Sequence, residues 1–325
     1  PRSVRLAGFE ALALLRDVAR GHAERLPADL SPGFFQELEH LFLAVEGRSG
    51  IYRGQALPAF LRLEGRAAAV ERSQDLDGLS VHAARWMARY PTGLDPDVVA
   101  RRVRRRRRIL ETLGASQDDW LDWHWHLRHV ARDADALARL VPLAAAERAA
   151  IEEATAHRIP FGVTPYYAHL MDEGDDRSRD HAVRAQVLPP RDYVDCLARA
   201  KGRRHRTFDF MREHDTSPVP LVTRRYPQIC ILKPYNTCPQ ICVYCQRNWE
   251  IDEVLAPGAL ASEEELGRAV QWIERTPAIR EVLVTGGDPL VLGDGRLARI
   301  LRRLAAIDHV ERIRIGTRMP ITVPF

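Results

Sequence analysis

Residues 229–247 read ICILKPYNTCPQICVYCQR, a short apolar run followed directly by Cys238, Cys242 and Cys245 in the spacing CxxxCxxC. ICIL (229–232) has the composition of a strand, so the thiols stand just past its C-terminal end, where barrel and open-sheet enzymes keep their sites. Three thiolates can hold three irons of a four-iron cluster and leave the fourth free to chelate a substrate or cofactor. A zinc knuckle is the competing reading, but zinc wants four ligands in a closed shell, and no Cys or His follows at a paired spacing within the next sixty residues. Cys230, inside the strand, reads as a small buried hydrophobe.

Downstream of this stretch the pattern repeats. EVLVTGG (281–287) and RIRIG (312–316) are two further β-rich runs, and amphipathic helices separate the three. Ser262 with Glu265 makes a capping box for a helix running through Trp272 and Ile273, and residues 296–306 make the next. This alternation predicts an α/β fold whose three strands are parallel, with their C-terminal ends on one active side, as in the first three βα units of a partial TIM-like barrel. The second strand ends in TGGDP, where glycine permits close backbone approach and a carboxylate offers acceptors to an ammonium. Gly-Gly-Asp alone is commonly an ordinary turn; its place at a strand end beside the cysteine strand favours a ligand site at Gly286, Gly287 and Asp288.

Upstream, residues 1 to about 200 read as helical, ahead of the start of the barrel (221–325). In one helix Asp95 caps, Pro96 suits the first turn, Val99, Val103, Leu110 and Leu113 form a stripe, and Gly114 stops it. The next opens with Ser116 and Asp119 as a capping-box variant and is expected to bury Trp120, Trp123, Leu127 and Val130. The arginine run RRVRRRRR (101–108) reads as a solvated helix face with Val103 turned inward, the sharper alternative being a nucleic-acid patch. His124, His126 and His129 lack a carboxylate or thiolate partner at metal spacing and read as packing residues.

The chain has 325 residues, 46% of them hydrophobic, enough for a sizeable core. Charges interrupt every apolar run, so neither a signal-peptide core nor a membrane span is expected. Five cysteines, three of them within eight residues, suit a reducing compartment, so a cytoplasmic location is expected. The net charge of +4 comes from 48 basic against 44 acidic residues, mostly interspersed, which argues weakly for nucleic acid. Only Lys201 and Lys233 of the basic residues are lysines.

With Tyr244 before the last cysteine, CxxxCxxC after a first strand resembles the shared signature of radical S-adenosylmethionine (SAM) enzymes. That resemblance implies a 4Fe-4S cluster on Cys238, Cys242 and Cys245, with Tyr244 beside the cofactor and Gly286, Gly287 and Asp288 at the methionine amino group of SAM. More narrowly, DDWLDWHWHLRHV (118–130), GVTPYY (162–167), DTSPVP (215–220), RRYP (224–227), TGGDPL (285–290) and RIGTRMPI (314–321) occur in the order of the lysine 2,3-aminomutase family. This similarity covers roughly residues 116–325 and leaves 1–115 unmatched, so the expected organisation is a helical N-terminal extension (1–115), a helical region and linker (116–220) and the start of the barrel (221–325). It implies that Arg247 pairs with the substrate carboxylate, a sensible partner for a planar guanidinium, although a surface arginine is the plainer reading. It also implies that Arg225 and Tyr226 lie against pyridoxal phosphate and that Arg318 lies near SAM. A second family arginine, four residues after Arg225, is Ile229 here.

The family reaction implied is the shift of an amino group from carbon 2 to carbon 3 of an L-amino acid, using the cluster, SAM, pyridoxal phosphate and an external electron donor. The protein would be a homo-oligomer when full length. The family's Schiff-base lysine lies in a later segment, neither Lys201 nor Lys233 sits in a matching motif, and a closed barrel takes about 250 residues by itself. The chain, which opens without Met, is therefore expected to be the N-terminal part of a longer enzyme. A radical SAM RNA-modifying enzyme, or a helical nucleic-acid module joined to an inactive remnant, are the alternatives.

Overall fold

A computed structural model describes residues 4, 8–28, 30, 32–48, 58–174, 177, 179–200, 208–209 and 211–325. Lys201 lies outside the described residues. Two units divide at Pro1–Pro91 and Thr92–Phe325. The first contains α1 (Ala11–Ala19), α2 (Pro32–Val45) and α3 (Gly65–Met87). Glu10 caps α1 by accepting from the Ala13 N–H, and Phe34 packs edge-on against both Phe9 and Phe35.

The second unit begins with the helix expected from Asp95 to Gly114. It forms as α4 (Pro96–Leu113), and Gly114 closes it in the left-handed region at φ +63°. The division at Thr92 places this helix with the residues C-terminal to it. Its buried stripe differs from the expected one. Val98, Arg105, Ile109 and Leu110 face inward, while Val99 (43%) and Val103 (50%) are exposed. The core register falls on an arginine because its Nη1 is paired there, donating to the Met171 carbonyl (2.5 Å) and to Asp172 (3.3 Å). Arg108 likewise reaches the Leu140 carbonyl at 2.7 Å. At these two positions the arginine run is part of the packing.

The capping box of Ser116 and Asp119 is present, but the helix it starts is α5 (Gln117–Leu121), five residues long. Asp122 then caps a second short helix, α6 (Trp123–Arg128), by accepting from the His124 N–H. This break resets the helical phase, so Trp125 and His126 are buried with Trp120 and Val130, and Trp123 and Leu127 are only half-buried. Next come α7 (Ala134–Leu140), α8 (Ala145–Ala156), α9 (Pro165–Ala168), α10 (His181–Ala185) and α11 (Arg191–Arg199). Ile109, Trp120, Leu137, Ile151, Val163 and Met171 make the common core of this helical layer.

The sheet has four strands in the order β1 (Val222–Thr223), β2 (Ile229–Tyr235), β3 (Glu281–Gly286) and β4 (Arg312–Ile315). The three expected strands are parallel, with Leu232 opposite Val284 and Val284 opposite Ile315. The antiparallel edge strand β1 is the addition; two residues are too few to show a period in sequence. Between β2 and β3 runs α12 (Glu263–Glu274), started by the Ser262–Glu265 box, and between β3 and β4 runs α13 (Asp294–Ala305). Alternate residues Cys230, Leu232, Val282 and Val284 pack with Ile273, Ile300 and Leu304 into a second core, each large apolar side chain contributing roughly 1.5–3 kcal/mol by leaving water. Cys230 is fully buried, as expected, and burial pushes its thiol up to about 12. The chain ends in α14 (Met319–Thr322). Among the described residues no helix is long and apolar enough to cross a membrane.

Candidate active site

The ends of the three parallel strands converge on one cavity of about 410 Å³. Its wall includes Cys238, Cys242, Tyr244 and Cys245 from the loop after β2, Gly286, Gly287 and Asp288 from the end of β3, and Thr317 and Arg318 after β4. Residues far apart in sequence thus meet where the parallel topology places them.

Pro234, which has no N–H to give, coincides with an irregularity in the β2–β3 ladder between Leu232 and Tyr235. Beyond it the loop is tied down from the helical layer. The Ile241 N–H donates to the Gly162 carbonyl (3.1 Å) and the Val243 N–H to the Gln186 carbonyl (2.9 Å). Asn248 Nδ2 donates to the Cys242 carbonyl (2.9 Å) and to the Tyr193 hydroxyl (2.6 Å). Beneath the loop Val130, Ile241, Ile251 and Val254 form a small apolar cluster that touches Cys245. Residues within 116–220 therefore brace the cysteine loop from behind.

Burial pushes the Cys238 and Cys245 thiols up, reinforced at Cys238 by Asp288 and the other cysteines. Positive charge would reverse this, because iron-bound thiols are deprotonated outright. Two donors already point that way: Arg318 Nη1 lies 2.5 Å from Cys242 Sγ, and the Arg247 N–H donates to Cys245 Sγ at 3.4 Å. The donor set, three thiols in one half-enclosed cavity beside an arginine, fits a cluster with one open iron. No three His, Cys, Asp or Glu side chains among the described residues are grouped as a single ion would require.

The Gly-Gly-Asp turn is shaped by close approach. Gly286 has φ +114°, and a Cβ there would lie 2.8 Å from Lys233 Cβ. A Cβ on Gly287 would stand 1.8 Å from the Thr237 carbonyl oxygen. Asp288 is buried, and both its oxygens are engaged: Oδ1 accepts from Thr317 Oγ1 (2.7 Å) and the Leu290 N–H (3.2 Å), Oδ2 from the Arg318 N–H (2.6 Å). Its carboxylate ties the end of β3 to the residues after β4. Arg318 also donates to Gln186 Oε1 (2.8 Å) and lies over the Tyr244 ring, 5.4 Å from the centroid. Tyr244 itself is 62% exposed at the rim.

The remaining sequence candidates meet elsewhere. Arg247 is 6% exposed; its Nε donates to Glu213 (3.1 Å), and its Nη2 donates to Asn236 Oδ1 (2.8 Å) and Glu250. Its Nη1 has no hydrogen-bond partner among the described residues. Arg225 Nη2 reaches the other Glu213 oxygen at 3.5 Å, and Lys233 Nζ donates to Glu213 as well. Tyr226, 61% exposed, is not drawn into this group. Lys233, Asn236 and Glu250 also line a larger cavity, about 810 Å³. Glu213 and Gln186 are the site residues the sequence reading passes over; both lie on loops or helix ends where no spacing flags them.

A model of the radical SAM superfamily matches residues 232–322. An uncharacterized KamA family protein of Methanocaldococcus jannaschii is 38% identical over 98% of this chain and 54% of its own length. The L-lysine 2,3-aminomutase of Bacillus subtilis is 35% identical over 64% of the chain and 41% of its own, and the glutamate 2,3-aminomutase of Clostridioides difficile 31% over 68% and 49%. The chain spans about half the length of the curated relatives it matches. The archaeal match takes in most of residues 1–115, which carry no family motif. With the family model spanning the cysteine motif and the glycine turn, and a KamA family protein 38% identical over 98% of this chain, the chain belongs to the radical SAM superfamily, among the relatives of the KamA and lysine 2,3-aminomutase proteins.

Proposed function

We propose that this chain is the cluster- and SAM-binding part of an aminomutase that moves an amino group between carbons 2 and 3 of an amino acid. The observation that carries the reading is the shared cavity: three thiols, the glycine turn and Arg318 gathered at the C-terminal ends of parallel strands. Bound there, a four-iron cluster and SAM would supply radical chemistry able to remove a substrate hydrogen, given one electron from an external donor.

The chain's own residues bind and orient. Cys238, Cys242 and Cys245 would hold the cluster, with Arg318 beside Cys242 offsetting negative charge. Gly286 and Gly287 let the main chain form the cavity wall with no side chain in the way, while Asp288 fixes the turn through its three donors. Arg247 is the amino-acid anchor, with Nη1 as its unpaired donor for a carboxylate. Segments within residues 116–220 brace the loop from behind and keep water from it.

Pyridoxal phosphate comes to this chain only through its kinship with aminomutases. Lys233 is the single lysine among the described residues, and its ammonium is held by Glu213. Arg225 is likewise turned to Glu213, and Tyr226 stands apart. These residues do not compose a site for the cofactor, and no step is assigned to it.

The test uses protein expressed from the complete gene and reconstituted anaerobically with cluster, reductant, SAM and pyridoxal phosphate. Each of the common amino acids is screened for stimulated 5′-deoxyadenosine release and for a β-amino acid by mass spectrometry. Arg247→Ala is expected to raise KM for the active amino acid about 30-fold or more, the low end for truncating a desolvated charge pair, with SAM affinity little changed. Absence of any amino-acid product contradicts the reading, and equal loss of both affinities would assign Arg247 to the cysteine loop instead.

A further inference from the structure

Glu213 is 4% exposed and receives three cations, Arg225, Lys233 and Arg247, from two segments beyond its own. One buried carboxylate beside two buried cations, Lys233 and Arg247, and the half-buried Arg225 is their shared counter-charge, since a buried cation would not be tolerated there unpaired. Its own backbone is pinned: Asp209 accepts from the Glu213 N–H (2.7 Å) and from the His214 N–H (3.1 Å), behind Arg212 at φ +51°. The carboxylate is thus delivered from a fixed turn.

The consequence falls on Arg247. A guanidinium is planar, so holding Nε on Glu213 and Nη2 on Asn236 and Glu250 fixes its plane and sets the direction of the orphan Nη1. Lys233 extends the tie to the glycine turn, because its Cβ sits where a Gly286 side chain would be. Resting on the reading of Arg247 as the amino-acid anchor, we propose that Glu213 is the positioning residue of that subsite: its carboxylate sets the Arg247 plane and joins Arg225 and Lys233 to the same point. Neither Glu213 nor Lys233 belongs to any motif that carries the family resemblance.

The experiment takes the reconstituted protein from the complete gene and the amino acid that best stimulates SAM cleavage. Calorimetry gives the Kd of that amino acid and of SAM, kinetics give its KM, and electron paramagnetic resonance follows the reduced cluster. Glu213→Gln should weaken the amino acid about tenfold or more in both Kd and KM, the size of one charge-assisted hydrogen bond, with SAM affinity and the cluster spectrum unchanged. Because Glu213 acts through Arg247, the double variant Glu213→Gln/Arg247→Ala should bind the amino acid no more weakly than Arg247→Ala alone. Glu213→Asp, which keeps the charge and shortens its reach, should be intermediate; it decides the matter if the Gln variant does not fold. Wild-type amino-acid affinity in Glu213→Gln or Glu213→Asp overturns the inference, as do additive losses in the double variant or an equal loss of SAM binding and cluster. If Arg247→Ala itself leaves amino-acid affinity intact, the anchor reading fails and takes this inference with it.

Discussion

At Gly287 the site admits no side chain. A Cβ there would meet backbone atoms of Thr237, and backbone cannot swing aside as a flexible side chain can. Gly287→Ala should therefore destabilise the protein by about 3 kcal/mol or more, beyond ordinary overpacking, and abolish SAM binding by pushing the turn away from the cysteine loop. Thermal unfolding and SAM titration of the reconstituted variant check this; a variant of wild-type stability that binds SAM would show that the turn is not held this tightly. The glycine is legible in sequence because a Gly-Gly-acid turn after a strand is a local pattern. Glu213 is not, since its three partners lie 12, 20 and 34 residues away and only folding brings them together. The burial of Arg105 is hidden for a related reason. An arginine takes a core register only when a distant carbonyl, here that of Met171, receives its charge.

At the scale of elements, caps are legible in sequence and helical phase is not. The boxes at Ser116 and Ser262 and the glycine stop at Gly114 are local chemistry and appear where sequence puts them. The stripe after Ser116 shifts because Asp122, which also caps, breaks one helix into two. That break buries His126 against Trp120 and Trp125, with Nε2 donating to the Trp120 carbonyl at 2.8 Å. His169, after α9, packs edge-on to the same Trp120. Burial holds both imidazoles near pKa 4, against an ordinary 6.5, overriding their carbonyl bonds. The unfolded chain takes up protons below pH 6.5 that the folded chain refuses until about pH 4, so stability is full above 6.5 and falls with pH through that window. From pH 7 to pH 5 the loss should be about 2 kcal/mol per histidine, measured by denaturant unfolding of the apoprotein. His126→Leu should flatten the slope by about half; an unchanged slope would show that the helical layer opens before it protonates. Carboxylates such as Asp119 and Glu281, lowered by their hydrogen bonds from ordinary values of 3.8 and 4.5, lose their contribution mainly below pH 5, outside the measured range from pH 7 to pH 5.

Over the whole molecule, strand order and the active side follow from alternation in sequence, because parallel βα units leave few topologies open. The bracing of the cysteine loop does not. Gly162 and Gln186, on segments between helices, and Tyr193, on a helix, hold the loop from a region that reads only as scaffold, and backbone carbonyls carry no sequence signal of their partners. In the proposed function these layers together present three thiols to a four-iron cluster that would bind SAM. Electron paramagnetic resonance of the anaerobically reconstituted, reduced protein with and without SAM, beside Cys242→Ala, is decisive. A four-iron signal that SAM shifts and that Cys242→Ala loses is expected. Stoichiometric zinc in a closed shell of sulfur and nitrogen, or a cluster signal indifferent to SAM, would contradict it.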